Sequence, residues 1–214
     1  MAAEEELSQL QQNPFFEKYA SKIAAFQQCV ILKFPSMKLE DILKVDLIAG
    51  KTADEVQQIW EEYHKGKENY LAAVVPPSIF QRINETASKY PLFLLPLPRK
   101  QGYEFFFLQY AGDEFHFTSL INYQAFQENA PDCLVLHYYK ELADEKGLIL
   151  LRGEFDSKVL TGMEAQCLAN QVQLYYGSED ATSPKRQKLL DTFNVKPSEF
   201  KHMDLISFLE FPLS

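Results

Sequence analysis

The stretch Gly102-Tyr-Glu-Phe-Phe-Phe-Leu-Gln-Tyr-Ala-Gly-Asp-Glu-Phe-His-Phe-Thr-Ser-Leu-Ile121 decides the fold. Two runs rich in aromatic residues flank Gly112-Asp113, and Gly at the first position of a two-residue loop suits a type II′ hairpin turn. That register pairs Ala111 with Glu114 and places Phe106, Leu108, Tyr110, Phe115 and Phe117 on one face. The opposite face then carries Phe105, Phe107, His116 and Thr118. Two rings thus stand among polar groups, either beneath a helix or as an exposed patch. A three-residue loop would exchange the two faces. Rings in this number serve core and surface rather than acid, base or nucleophile chemistry.

Upstream of the hairpin, Leu92 to Leu97 reads as a strand. The prolines Pro91, Pro96 and Pro98 suit an edge or a bend better than a central position. Ser78 to Lys89 reads as a helix with Ile79, Phe80 and Ile83 inward, and Tyr70 to Val75 as a strand ended by Pro76-Pro77. Thr52-Ala-Asp-Glu55 is a capping box for a helix that aligns Val56, Ile59, Trp60 and Tyr63, with Trp60 as a core anchor. Leu39 to Leu47 is expected to form one short amphipathic helix. At the N-terminus, Asn13-Pro14 opens a helix that runs to about Gln28, with Phe15, Phe16, Tyr19, Ile23 and Phe26 on one side. Residues 1–28 are read as a helical arm and 29–214 as a single domain.

Downstream, Cys133 to Tyr138 and Leu148 to Glu154 are two more strands, separated by a short helical piece from Lys140 to Lys146. The segment Glu164 to Gly177 carries no charge after Glu164, which predicts a helix buried on most sides. Ser178 to Pro184 reads as a disordered loop, and Lys185–Phe193 and Pro197–Leu209 as two closing helices. Strand-turn-strand units interleaved with helices, without regular strand-helix-strand crossovers, give an α+β fold with a largely antiparallel sheet flanked by helices.

Bulk properties narrow the function. A chain of 214 residues fits a single domain with an arm. Three cysteines, Cys29, Cys133 and Cys167, have no Cys-x-x-Cys spacing, which argues against a disulfide framework or a zinc site and for a reducing compartment. A net charge of −9 disfavours nucleic acid and anionic lipid as partners. No apolar run has the length of a spanning helix. The acidic start Met-Ala-Ala-Glu-Glu-Glu differs from an Arg-rich transit peptide, so the chain is expected either to need no import or to begin after a processed segment.

Catalytic candidates are few. Cys133 and His137 are tempting as a nucleophile and base, but four residues along a strand separate them by roughly 13 Å. Glu114, His116 and Thr118 alternate on one strand and could imitate metal ligands, although a half-solvated sheet face explains them better. Neither a Walker lysine motif nor Gly-x-Gly-x-x-Gly occurs. Lys185-Arg186-Gln-Lys188, the one compact basic cluster, reads as a solvated helix face. No cofactor, metal or catalytic residue is expected. Two other readings remain: a thiol-dependent hydrolase using Cys133 or Cys167, and a small-ligand carrier with the aromatic sheet around a cavity.

The hairpin resembles that of the mitochondrial ATP synthase F(1) complex assembly factor 1 family, and four further blocks are similar to it. They are Asn13-Pro-Phe-Phe-Glu-Lys-Tyr19, Leu39-Glu-Asp-Ile-Leu43 with Lys51-Thr-Ala-Asp-Glu-Val-Gln-Gln-Ile-Trp60, Glu164-Ala-Gln-Cys-Leu-Ala-Asn-Gln-Val-Gln-Leu-Tyr175, and Phe193-Asn-Val-Lys-Pro-Ser-Glu-Phe200. The resemblance implies a mitochondrial matrix chaperone, not an enzyme. Such a protein binds the unassembled beta subunit of the catalytic sector, keeps it from aggregating and yields it to the alpha subunit. A monomer is expected. The stretch from Phe26 to Met37 is shorter and more apolar than the family's pattern. The family supplies no contact motif; on physical grounds Phe15, Phe16, Tyr19 and Ile23, with Phe105 and Phe107, are the candidate partner-binding residues.

Overall fold

A computed structural model of the chain describes residues 37–207 apart from 101, 127–128 and 181–182. The arm at residues 1–28, and with it Phe15, Phe16, Tyr19 and Ile23, lies outside the described residues. Six strands, β1 (Tyr70–Val75), β2 (Leu92–Pro98), β3 (Tyr103–Ala111), β4 (Glu114–Ser119), β5 (Leu134–Tyr139) and β6 (Ile149–Phe155), form one sheet in the order β1-β6-β5-β4-β3-β2. Every neighbouring pair is antiparallel, so the fold is α+β as the sequence predicts.

The β3–β4 register pairs Ala111 with Glu114, Tyr110 with Phe115 and Leu108 with Phe117, which sorts the rings as expected. The turn differs in type. Gly112 and Asp113 both have positive φ, 58° and 70°, which is a type I′ turn; Asp tolerates the left-handed region well enough to take the second position.

The first face of the sheet, with Phe93, Leu95, Phe106, Leu108, Phe115, Phe117, Leu134 and Leu136, is the main core. Helices α4 (Pro77–Lys89), α7 (Gly162–Val172) and α8 (Ser183–Val195) cover it. Two of them begin with familiar devices: Pro at the first turn of α4, and for α7 a second capping box in which Glu164 accepts from Thr161 N–H at 2.8 Å. Arg99 ties the β2–β3 turn to α7, pairing with both Glu104 and Glu164. After Val172 the helix widens into a π-type turn, Gln173–Gly177, where Gly177 packs its backbone against Ile83 of α4.

The second face is covered in two parts. Over β1, β6 and β5 lie α1 (Leu39–Ile42), α2 (Val45–Ile48) and α3 (Ala53–His64). Trp60 of α3 is fully buried and donates its Nε1–H to the Leu151 carbonyl at 3.1 Å, the anchor that the periodicity predicts. Over β3 lies α5 (Leu120–Phe126). The short α6 (Ala143–Lys146) ends on Gly147 in the left-handed region.

The segment 164–177 is buried on most sides as expected, with Gln166, Asn170 and Gln173 exposed along one stripe. Three expectations change. The helix expected over 39–47 is two, broken where Leu43 is extended. Helix α8 begins at Ser183, so Ser183 and Pro184 belong to a helix rather than a loop. The last helix is a 3-10 turn, Pro197–Glu199, followed by α9 (Met203–Ile206). Between them Phe200 packs on Phe93 of the first face and His202 on Phe105 of the second, so the chain rounds the β2 edge.

Candidate partner-binding surface

Phe105 and Phe107 lie where the hairpin register puts them, on the second face. Phe107 is only 6% exposed and stacks on Tyr123 of α5, ring centres 5.2 Å apart. It is therefore the ring beneath a helix, and it has little area to offer a partner. Phe105 is half-buried, edge-on to His202 at 5.7 Å.

The helix that covers Phe107 supplies the surface that the sequence reading missed. Ser119 caps α5 by accepting from Asn122 N–H at 3.2 Å, and the helix spends Tyr123 on the core. It exposes Ile121, 66%, on the side opposite Tyr123, and Phe126, 55%, at its C-terminal end. Five residues apart, the two stand on different sides of the helix, each a separate exposed apolar group. The available signal was the step from a strand of period two to Leu120 and Tyr123 three residues apart.

Between the two coverings of the second face lies a cluster of charge rather than a half-solvated surface. Glu114, His116 and Thr118 are all buried. His116 lies between two carboxylates: Nδ1 is 2.8 Å from Asp132, and Nε2 is 3.2 Å from Glu114. Glu114 reaches His137 of β5 through its other oxygen, at 3.1 Å. Burial opposes charge on His116, but the hydrogen bonds to Asp132 and Glu114 outweigh it and raise its pKa to about 9. Burial likewise opposes the Glu114 carboxylate, and its hydrogen bonds with His116 and His137 hold it down to about 2. With both ring nitrogens of His116 donating to carboxylates, the ring is committed as a cation and has no lone pair for a metal. Beside the cluster opens a cavity of about 360 Å3 bordered by Met37, Lys38, Glu114, His137 and Lys140. Asp132, seated before β5, is the member that sequence spacing could not reveal.

Neither of the two described thiols is set up as a nucleophile. Cys133 is buried, donates to the Phe117 carbonyl at 3.1 Å, and burial pushes its pKa to about 12. Cys167 is half-buried and also shifted up, first by burial. Of the basic cluster, Arg186 is not a solvated group: it is buried and paired with Asp180 at 2.7 Å. Among the described residues no helix is long and apolar enough to cross a membrane.

A packed antiparallel sheet with a committed ion cluster and outward apolar side chains has, among the described residues, the makeup of an α+β binding domain. Comparison with known proteins gives the family. The family model described as ATP11 protein matches residues 3–206, and the chain belongs to that family. It is 46% identical over 172 residues to the "ATP synthase mitochondrial F1 complex assembly factor 1" of Danio rerio, covering 80% of this chain and 56% of that protein. It is 36% identical over 247 residues to the human protein of the same name, covering 95% of this chain and 74% of that one. "Protein atp11, mitochondrial" of Schizosaccharomyces pombe is 29% identical over 182 residues, covering 78% and 63%. The match thus spans little more than half the length of the zebrafish relative.

Proposed function

We propose that the chain is a non-catalytic chaperone in the assembly of the mitochondrial F1 ATP synthase, that its client is the unassembled beta subunit, and that it works in the mitochondrial matrix as a monomer. The observation that carries this reading is the family match over nearly the whole chain, with relatives named as F1 assembly factors. The described surface is consistent with it. A subunit of an oligomer exposes apolar interface before assembly, and a transient partner must cover that area yet remain displaceable. Ile121 and Phe126 on α5, and the half-buried Phe105 of β3, offer apolar contact of that modest kind. The aromatic residues Phe15, Phe16 and Tyr19, with Ile23, extend the contact in the arm. Residues 1–28 act as the arm and 29–214 as the domain.

The test is dilution of isolated beta subunit from denaturant into equimolar protein, with alpha subunit and albumin as parallel clients, followed by light scattering. Selective protection of beta is expected. Equal failure with all three clients overturns the reading. The pair Ile121→Asp and Phe126→Asp should weaken protection while leaving the unfolding free energy within about 0.5 kcal/mol, as exposed substitutions do.

A further inference from the structure

The two free edges of the sheet are treated differently. On β2 the backbone groups that point outward belong to Leu92, Leu94, Pro96 and Pro98, because Pro91 already bonds Tyr110 toward β3. Two of these are prolines without an N–H. Asn194 of α8 then occupies both groups of Leu92, donating to its carbonyl at 2.7 Å and accepting from its N–H at 3.3 Å. Gln171 of α7 donates to the Pro96 carbonyl at 2.9 Å. Side chains thus stand in for a missing strand, and little of this edge can accept one.

On β1 nothing comparable occurs among the described residues. Phe155 N–H bonds the Asn69 carbonyl at 3.0 Å, which fixes the alternation: Leu71, Ala73 and Val75 face β6, while Tyr70, Ala72 and Val74 point their N–H and C=O outward. Those three donors and three acceptors have no partner among the described residues. The strand Tyr-Leu-Ala-Ala-Val-Val has no charge and no proline, and all six residues are half-exposed. None of the usual blunting devices is present on the strand itself.

We propose that the outer edge of β1 is a docking site for an extended, uncharged main-chain segment of the client, which joins the sheet antiparallel or parallel as a seventh strand. This rests on the chaperone reading above, and it names how the client is held: by main-chain hydrogen bonds, which tolerate varied side chains and release when the client's own partner claims the strand. Charge selects the occupant. The helix α3 lies over the second face of β1 and exposes Asp54, Glu55, Glu61 and Glu62, with Lys51, Lys65 and Lys67 exposed at its two ends and Lys65 paired with Glu62 at 3.2 Å, which leaves it net acidic. Antiparallel pairing of β1 with a second copy would set two such helices on the same side of a joint sheet, in chains that each carry −9. A client strand flanked by Lys or Arg meets that helix with complementary charge instead.

The experiment is residue-resolved hydrogen exchange on the full chain, with and without isolated beta subunit, paired with the variant Ala72→Pro. Proline at 72 removes one outward N–H and leaves every β1–β6 bond in place, so the fold should persist. The amides of Tyr70, Ala72 and Val74 are expected to slow at least tenfold on adding beta subunit, and Ala72→Pro to weaken capture about tenfold. Capture with no slowing of these three amides overturns the edge site while the chaperone reading stands. Slowing that depends on the protein's own concentration, without client, assigns the edge to a second copy and also overturns the proposal. Absence of any capture by the unaltered chain sinks both. The exchange readout needs no variant, so it decides even if Ala72→Pro misfolds.

Discussion

Replacing His116 with Gln should abolish a pH dependence of stability that the buried cluster creates. In the folded chain the His116 pKa is about 9, against 6.5 for a free imidazole. A folded value above the unfolded one means that the folded state binds the proton more tightly. The stabilisation is therefore complete below about pH 6.5 and is lost as pH rises through about 9. At about 1.4 kcal/mol for each pH unit between the two values, the full effect is on the order of 3 kcal/mol. The variant leaves Glu114 with His137 at 3.1 Å, but it faces Asp132 with a neutral amide. A loss of about 2–4 kcal/mol is expected near pH 6, overlapping the lower half of the range for breaking a buried pair. Near pH 9 the loss should shrink to about 1 kcal/mol, because the wild type has by then largely forfeited the charge. His64 and His202 also titrate, but burial, the first cause for each, lowers their values, and both are unchanged between the two proteins. Urea unfolding of both at the two pH values isolates His116 as the difference of differences. An equal loss at pH 6 and pH 9 would refute the assignment of His116 as a buried cation.

Gly177→Ala should destabilise by about 1–3 kcal/mol, since the new Cβ would stand 2.9 Å from Ile83 Cγ1 in a packed core; a thermal midpoint unchanged from wild type would contradict that packing. Asn194→Ala should cost about 1–3 kcal/mol by stripping both bonds from Leu92, and it should raise concentration-dependent association by opening the β2 edge. Sedimentation velocity on that variant checks the second effect independently of the first.

Much of the fold was legible because its signals are local. Turn chemistry at Gly112-Asp113, alternation from Phe105 to Leu108, the Thr52–Glu55 box and the prolines around Leu92–Leu97 each act within a few residues, and each identified its element or its edge position. Where the reading failed, the deciding contact was distant. The sequence spacing of Glu114, His116 and Thr118 suggested a wet surface because Asp132, 16 residues from His116, and His137, 23 from Glu114, supply the burial and the pairing. A near partner escaped as well: Lys185-Arg186-Gln-Lys188 looked uniformly solvated although Asp180 lies only six residues before Arg186, because that pairing follows no helix or strand period.

By itself the sequence determined the strands, their alternating faces, most helix starts and the family, since these follow from side-chain period, capping and residue order. Tertiary structure alone decided the strand order β1-β6-β5-β4-β3-β2, and with it which edges stay free. Pairing between strands distant in the chain depends on which backbone groups remain unsatisfied after every local choice, and no local pattern encodes that remainder. For the same reason the blunted β2 edge was foreseeable from its prolines, whereas the open edge of β1 was not.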